Sequence, residues 1–151
     1  MRCKKGVTGW MAIKLDLEKA YDRMRWEFIQ DTLSKMRLPA SLIDVIMHCI
    51  SSSSLNVLWN GAPTELFKPT RGNRQGDPLS PYLFVACIER LSQLIEASCA
   101  EGQWQALPFV RRGTRLSHLM FADDVVLFCK ANLSQAQILQ ECLNRFCEAS
   151  G

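Results

Sequence analysis

Asp16, Asp123 and Asp124 are the side chains with most chemistry to offer, because each carboxylate stands beside an apolar stretch. Asp16 lies in the alternation Ala12-Ile13-Lys14-Leu15-Asp16-Leu17, and Phe121-Ala122-Asp123-Asp124 sits between two apolar runs. Magnesium prefers hard oxygen ligands and is usually held by one or two carboxylates plus substrate phosphates. Two such ions about 4 Å apart activate an attacking hydroxyl and stabilise a leaving oxygen. Carboxylates distant in sequence, each at the end of a strand, suit that task. Adjacent residues of an extended chain point to opposite faces, so Asp123 and Asp124 should not serve equally. Asp123, at the expected hairpin tip, is assigned as direct ligand and Asp124 as its support. A third feature is the dense loop Arg71-Gly72-Asn73-Arg74-Gln75-Gly76-Asp77-Pro78-Leu79-Ser80-Pro81 ahead of a helical pattern.

Each feature alone has a plainer reading. An Asp-Asp pair at a hairpin tip is more often a solvated turn, Asp16 alone could cap the next helix, and the loop could be a tight turn only. Their joint occurrence in a fixed order favours chemistry.

The elements that must position these residues follow from hydrophobic periodicity. Residues 12–17 alternate, with Ile13, Leu15 and Leu17 on one face and Ala12, Lys14 and Asp16 on the other, as a half-buried strand does. A helical period then runs over 18–36 on Tyr21, Met24, Phe28, Ile29, Leu33 and Met36. Past Pro39 a second helix is expected over 40–50 on Leu42, Ile43, Ile46, Cys49 and Ile50. Leu55, Val57 and Trp59 alternate up to Asn60-Gly61, a strong hairpin signal, with a short return strand through Leu66 and Phe67. Ser80 is the expected N-cap of a third helix, with Pro81 at its first position and Gly102 as its stop. Strands are expected at 109–110, 116–121 and 125–129, and a last helix over 133–149. Helices mixed with hairpins predict an α+β fold.

With 151 residues the chain is read as one domain. It is 48% hydrophobic and 22% charged, as a soluble globular protein is. No apolar run reaches the roughly 18 residues of a membrane span, and the start lacks the apolar core of a secretory signal. A net charge of +3 is compatible with a nucleic-acid partner but does not establish one. The seven cysteines include no Cys-x-x-Cys pair; Cys49, Cys87 and Cys129 fall in apolar patterns, as small hydrophobes. Free thiols in a reducing, intracellular compartment are the simplest reading. His48 and His118 have no ligand-like neighbours and receive no role.

Lys14-Leu15-Asp16-Leu17-Glu18-Lys19-Ala20-Tyr21-Asp22-Arg23 resembles the first palm motif of reverse transcriptases, residues 71–84 the second, and Phe121-Ala122-Asp123-Asp124 the third. Gly9-Trp10-Met11-Ala12-Ile13-Lys14 and Ser117-His118-Leu119-Met120 resemble the LINE-type (non-LTR) retrotransposon enzymes of flowering plants. The resemblance covers nearly the whole chain. It implies a polymerase palm, an antiparallel sheet with helices packed on one face, and RNA-templated DNA synthesis from deoxynucleoside triphosphates on a DNA primer. It also implies that Asp16, Asp123 and Asp124 carry two Mg²⁺ ions, with Mn²⁺ as a substitute. Tyr21 would be the steric gate beneath the incoming sugar, and Gln75 and Gly76 would line the nucleotide pocket. Arg71 and Arg74 would contact nucleic-acid phosphates, as would Arg111, Arg112 and Arg115, for which a solvated basic loop is an equal reading. Asp22 is read as favouring a helix start by its charge, and Asp77 as capping the turn before Pro78.

Asn73 departs from the family pattern, which has an aliphatic residue there. The resemblance further implies that residues 1–151 are a palm segment, with fingers before it and a thumb after it. It suggests a nuclear site of action and leaves protein partners unspecified. The competing reading is a truncated, non-catalytic remnant that binds RNA or acts as a scaffold. A group II intron or retron enzyme would share the palm chemistry, but the plant-like flanks disfavour it.

Overall fold

The computed structural model describes residues 9–151, apart from residues 18, 75 and 110–112. In chain order the elements are β1 (Trp10–Asp16), α1 (Ala20–Arg23), α2 (Trp26–Lys35), α3 (Ala40–Ser51), β2 (Leu58–Trp59), β3 (Ala62–Pro63), α4 (Ser80–Ala100), β4 (Leu107–Pro108), β5 (Arg115–Leu116), β6 (His118–Phe121), β7 (Asp124–Lys130) and α5 (Leu133–Ser150). Helices and antiparallel strands are mixed, as an α+β fold requires. Two compact units result: residues 9–17 with Ile88–Ala149, and Lys19–Cys87 with Ser150–Gly151.

The first unit is built on a three-stranded antiparallel sheet in the order β1-β7-β6. Alternation decides its faces. Val125, Leu127 and Cys129 of β7 point inward and are at most 1% exposed. Met11, Ile13 and Leu15 lie opposite Cys129, Leu127 and Val125 on that same side. Ile88, Leu91 and Ile95 of α4, with Leu139, Cys142 and Phe146 of α5, complete this core. Trp104 is 2% exposed, and its Nε1–H donates to the Phe128 carbonyl at 3.0 Å. On the other face Lys14, Asp16, Leu119, Phe121 and Asp124 are open to solvent. The sheet is therefore covered by helices on one side only.

In the second unit, the single helix expected over 18–36 is two. Met24 and Arg25 are extended, with ψ of 122° and 137°. Tertiary partners take the backbone groups a continuous helix would use. The Tyr21 carbonyl accepts from the Asn73 amide and the Met24 carbonyl from the Gly72 amide, both at 2.8 Å, and the Arg25 amide donates to Ser150. Met36 lies past the end of α2 and is 56% exposed. On α3, Ile43 and Ile50 are buried, but Leu42 and Cys49, expected in the core, are exposed.

The Asn60-Gly61 hairpin forms as expected, with φ of +49° and +82°, the left-handed values such a two-residue turn demands. Its strands are two residues each, and Leu55 pairs with Phe67 beyond them as an isolated bridge. Helix α4 begins at Ser80 itself. The Ser80 hydroxyl donates to the Arg74 carbonyl at 2.7 Å, and the Asp77 carboxylate accepts from the Leu79 amide at 2.8 Å. Asp77 thus holds the turn, and Ser80 is not the side-chain cap. Gly102, at φ +75°, ends α4 as expected.

Candidate active site

Period-two geometry brings the three acidic residues to one end of the sheet in the first unit. Asp16 is the last residue of β1 and lies directly opposite Asp124, the first of β7. Directly opposed residues of antiparallel strands share a face, with Cβ atoms about 4.5–5.5 Å apart. Phe121 and Asp124 close the β6–β7 hairpin, so Ala122 and Asp123 form its two-residue tip. Ala122 takes φ +52°, which only the demand of a tight hairpin makes tolerable for a residue with a Cβ. Asp16, Asp123 and Asp124 are all exposed.

Sequence reasoning missed the partner of Asp124. Lys14 Nζ lies 2.7 Å from its carboxylate, with the two side chains 68% and 60% exposed. Lys14 and Asp16 are two apart on β1 and share a face, so the register alone predicts this contact; the register was the absent information. The hydrogen bond to Asp124 and then its charge raise the Lys14 pKa above its ordinary 10.5, and the charges of Asp16 and Asp123 add to the effect. One ammonium thus faces three carboxylates.

Among the described residues, no three His, Cys, Asp or Glu side chains converge closely enough to hold a metal unaided. The donor chemistry still fits magnesium, which takes one or two protein carboxylates and completes its shell with phosphates and water. His118, assigned no role from sequence, is held between Ser92 Oγ at 2.8 Å and Ser117 Oγ at 2.9 Å, a structural placement.

The second unit gathers the remaining candidates. Tyr21 stacks on Phe84 with ring centroids 4.7 Å apart. Gly72, at φ +85°, passes so close to Asp22 that a Cβ there would lie 2.6 Å from the Asp22 carbonyl oxygen. The Trp26 indole N–H donates to the Gly72 carbonyl at 2.9 Å. Arg71 and Arg74 are exposed and line a cavity beside this loop. Gly76 is exposed at φ +86°, with open space where a Cβ would stand. Gln75, Arg111 and Arg112 lie outside the described residues; Arg115 is exposed on β5. Asn73 is buried, which its polarity did not suggest.

Residues 2–151 match the family described as reverse transcriptase (RNA-dependent DNA polymerase). A retrovirus-related Pol polyprotein from a type-2 retrotransposable element of Drosophila melanogaster is 29% identical over 130 residues, covering 86% of this chain and 12% of that protein. An uncharacterized mitochondrial protein of Arabidopsis thaliana is 49% identical over 65 residues, 43% of this chain and 53% of that one. Among solved structures, a telomerase from Candida tropicalis in complex with a fragment of telomeric RNA superposes with a TM-score of 0.62 at 16% identity, over 93% of this chain and 24% of that one. That likeness speaks to the fold. Across these relatives the chain spans between about an eighth and a half of the partner's length. No helix among the described residues is long and apolar enough to cross a membrane.

Proposed function

The chain belongs to the reverse transcriptase (RNA-dependent DNA polymerase) family, and from that premise we propose that it is the palm segment of a LINE-type enzyme catalysing RNA-templated DNA synthesis. The observation that carries this reading is the meeting of Asp16 with Asp124 across β1 and β7, with Asp123 at the adjoining hairpin tip on the open face of the sheet. In the proposed reaction a primer 3′-hydroxyl attacks the α-phosphate of a deoxynucleotide and pyrophosphate leaves.

Asp16 and Asp123 are the proposed holders of Mg²⁺, and Asp124, tethered by Lys14, supports them. When bound, Mg²⁺ lowers the pKa of the hydroxyl and neutralises charge developing on the phosphates. The end of the sheet is a suitable mount, because Asp16 stands on a strand end and Asp123 in a two-residue turn held between paired strands, both more rigid than a long loop would be. Tyr21 is the proposed gate against a 2′-hydroxyl, Gln75 and Gly76 line the nucleotide pocket, and Arg71 and Arg74 take phosphates of the template–primer duplex.

Primer extension on an RNA template with a DNA primer, Mg²⁺ and all four deoxynucleotides tests this, in the chain and in a chimera with the flanking segments of a related enzyme. Extension that disappears in Asp123→Asn supports the assignment, and retained extension removes it. Hybrid binding with no extension in either form favours the non-catalytic remnant instead.

A further inference from the structure

The β2–β3 hairpin of the second unit carries exposed apolar side chains on both of its faces. Leu58 and Trp59 are each 72% exposed at its tip, and as neighbours on one strand they point to opposite sides. A two-stranded hairpin without a covered face is marginal by itself, so an exposed indole there contributes little to folding. The tip is nonetheless well defined: Asn60 and Gly61 hold the left-handed φ values of a two-residue turn, and Trp59 pairs with Ala62. Successive pairs fix the side on which the indole stands. Leu55 pairs with Phe67, the Val57 carbonyl accepts from the Thr64 amide at 2.8 Å, and Trp59 opposes Ala62. Leu55, Val57 and Trp59 therefore share one face, and their exposure climbs from 36% through 51% to 72%. Leu55 also walls the cavity of about 460 Å³ that Arg71 and Arg74 line. At about 3.4 Å per residue, Trp59 stands about 14 Å farther along that face. Over residues 55–74 the only acidic side chain is Glu65, against Lys68, Arg71 and Arg74, all exposed.

We propose that this hairpin is a stacking platform for unpaired RNA, with Trp59 as the residue on which a base stacks. An exposed aromatic ring beside cations is the arrangement that holds single strands: rings take the faces of bases of any sequence, and cations take the phosphates. The excess of positive charge along the segment favours a polyanion over an apolar protein surface as the occupant. The inference rests on the templated synthesis proposed above, which says which strand is unpaired. A primer is paired with its template, so the bases free to stack belong to RNA not yet copied. Phosphate contacts at Arg71 and Arg74 belong to that earlier reading, whereas the hairpin and Trp59 are additional to it.

The test is fluorescence anisotropy of the purified chain with a short labelled single-stranded RNA, and with the same RNA annealed to its complement, in EDTA over a series of salt concentrations. Trp59→Ala weakens binding of the single strand about tenfold, as loss of one base–aromatic stack does. It leaves the duplex, whose bases already stack on one another, unchanged. The slope of affinity against salt also stays the same, because no phosphate contact is lost, and Tm holds because the indole is exposed. Trp59→Phe, which keeps a ring, restores most of the single-strand affinity. Equal single-strand binding by the native chain and Trp59→Ala, an equal loss on the duplex, or no recovery in Trp59→Phe overturns the proposal. A dimer in sedimentation that Trp59→Ala dissociates while RNA affinity holds overturns it too, and names a second copy of the chain as the occupant. Primer extension in the same preparations separates this inference from the catalytic reading. Unchanged RNA binding in Trp59→Ala, with extension that still needs Asp123, defeats the platform alone. Weakened single-strand binding in Trp59→Ala, with extension indifferent to Asp123, removes the catalytic assignment and supports the platform.

Discussion

Lys14 and Asp124 form a 2.7 Å ion pair between neighbouring strands, with Lys14 two residues along β1 from Asp16, the residue directly opposite Asp124. The ammonium is the counter-charge the described structure places among three carboxylates, and a divalent ion bound there would act on the same charges. Lys14→Met therefore leaves like charges facing one another at the sheet end, where such juxtaposition is unfavourable. The expected result is a lower Tm without divalent ions and a larger rise on adding Mg²⁺ than the native chain shows. Thermal melts with Mg²⁺ and with EDTA measure it. An equal Mg²⁺ response in the two proteins would show that Lys14 and the metal do not share a site.

The gate assignment and the packing of Tyr21 separate in a pair of variants. The ring stacks on Phe84, itself 1% exposed, and such pairs contribute about 0.5–1.5 kcal/mol beyond their buried area. Tyr21→Phe keeps the stack and the bulk, so stability and sugar selectivity should both persist. Tyr21→Val loses the stack and should admit ribonucleotides in a primer-extension assay. Unchanged sugar selectivity in Tyr21→Val, with the expected drop in stability, would leave Tyr21 as core alone.

Local period made the placement of Asp16, Asp123 and Asp124 at strand ends and a hairpin tip legible, and tertiary partners made the rest illegible. β1 shows its faces in the alternation of Ile13 and Leu15 with Lys14 and Asp16, because a half-buried strand can satisfy that pattern in one way. The hairpin tips at Asn60-Gly61 and Ala122-Asp123 follow from turn chemistry and spacing. The break at Met24 and Arg25 could not be read, because it depends on amides of Gly72 and Asn73 some fifty residues on. Burial of Asn73 has the same origin, since its backbone is carried inward by the loop while nothing in its own side chain asks for an interior. Leu42 and Cys49 show the opposite limit: helical period marks an apolar face, but not whether another element covers it.

Two glycines of the same loop should respond differently to a methyl group. Gly72 and Gly76 have φ of +85° and +86°, so an alanine at either carries a left-handed penalty of about 1–2 kcal/mol. At Gly76 the space is open and that penalty is the whole cost. At Gly72 the new Cβ also meets the Asp22 backbone at 2.6 Å, and backbone cannot swing aside as a flexible side chain would. Gly72→Ala should thus lose clearly more stability than Gly76→Ala in urea denaturation. Equal losses would mean that the contact between residues 72 and 22 is loose in solution.

Thiol reactivity should sort by burial. Cys49 and Cys147 are exposed, whereas Cys87, Cys129 and Cys142 are buried. Burial raises the pKa of Cys129 and Cys142 above their ordinary 9.0, as it does for the partly buried Cys99. The thiolate is the nucleophile, so these groups are disfavoured by both access and ionisation. Among the described cysteines, iodoacetamide at pH 8 should modify Cys49 and Cys147 first, with Cys129 and Cys142 following only on unfolding, as peptide mass mapping would resolve. The same shifts carry a pH dependence. A thiol whose pKa is higher in the folded chain contributes stability fully present below pH 9.0, because the unfolded form ionises first as pH rises. Stability should therefore hold through neutral pH, fall above about pH 9 and level off beyond the raised folded values. Substituting Cys129 by alanine should make that alkaline decline shallower, and an unchanged slope would place its origin in other groups.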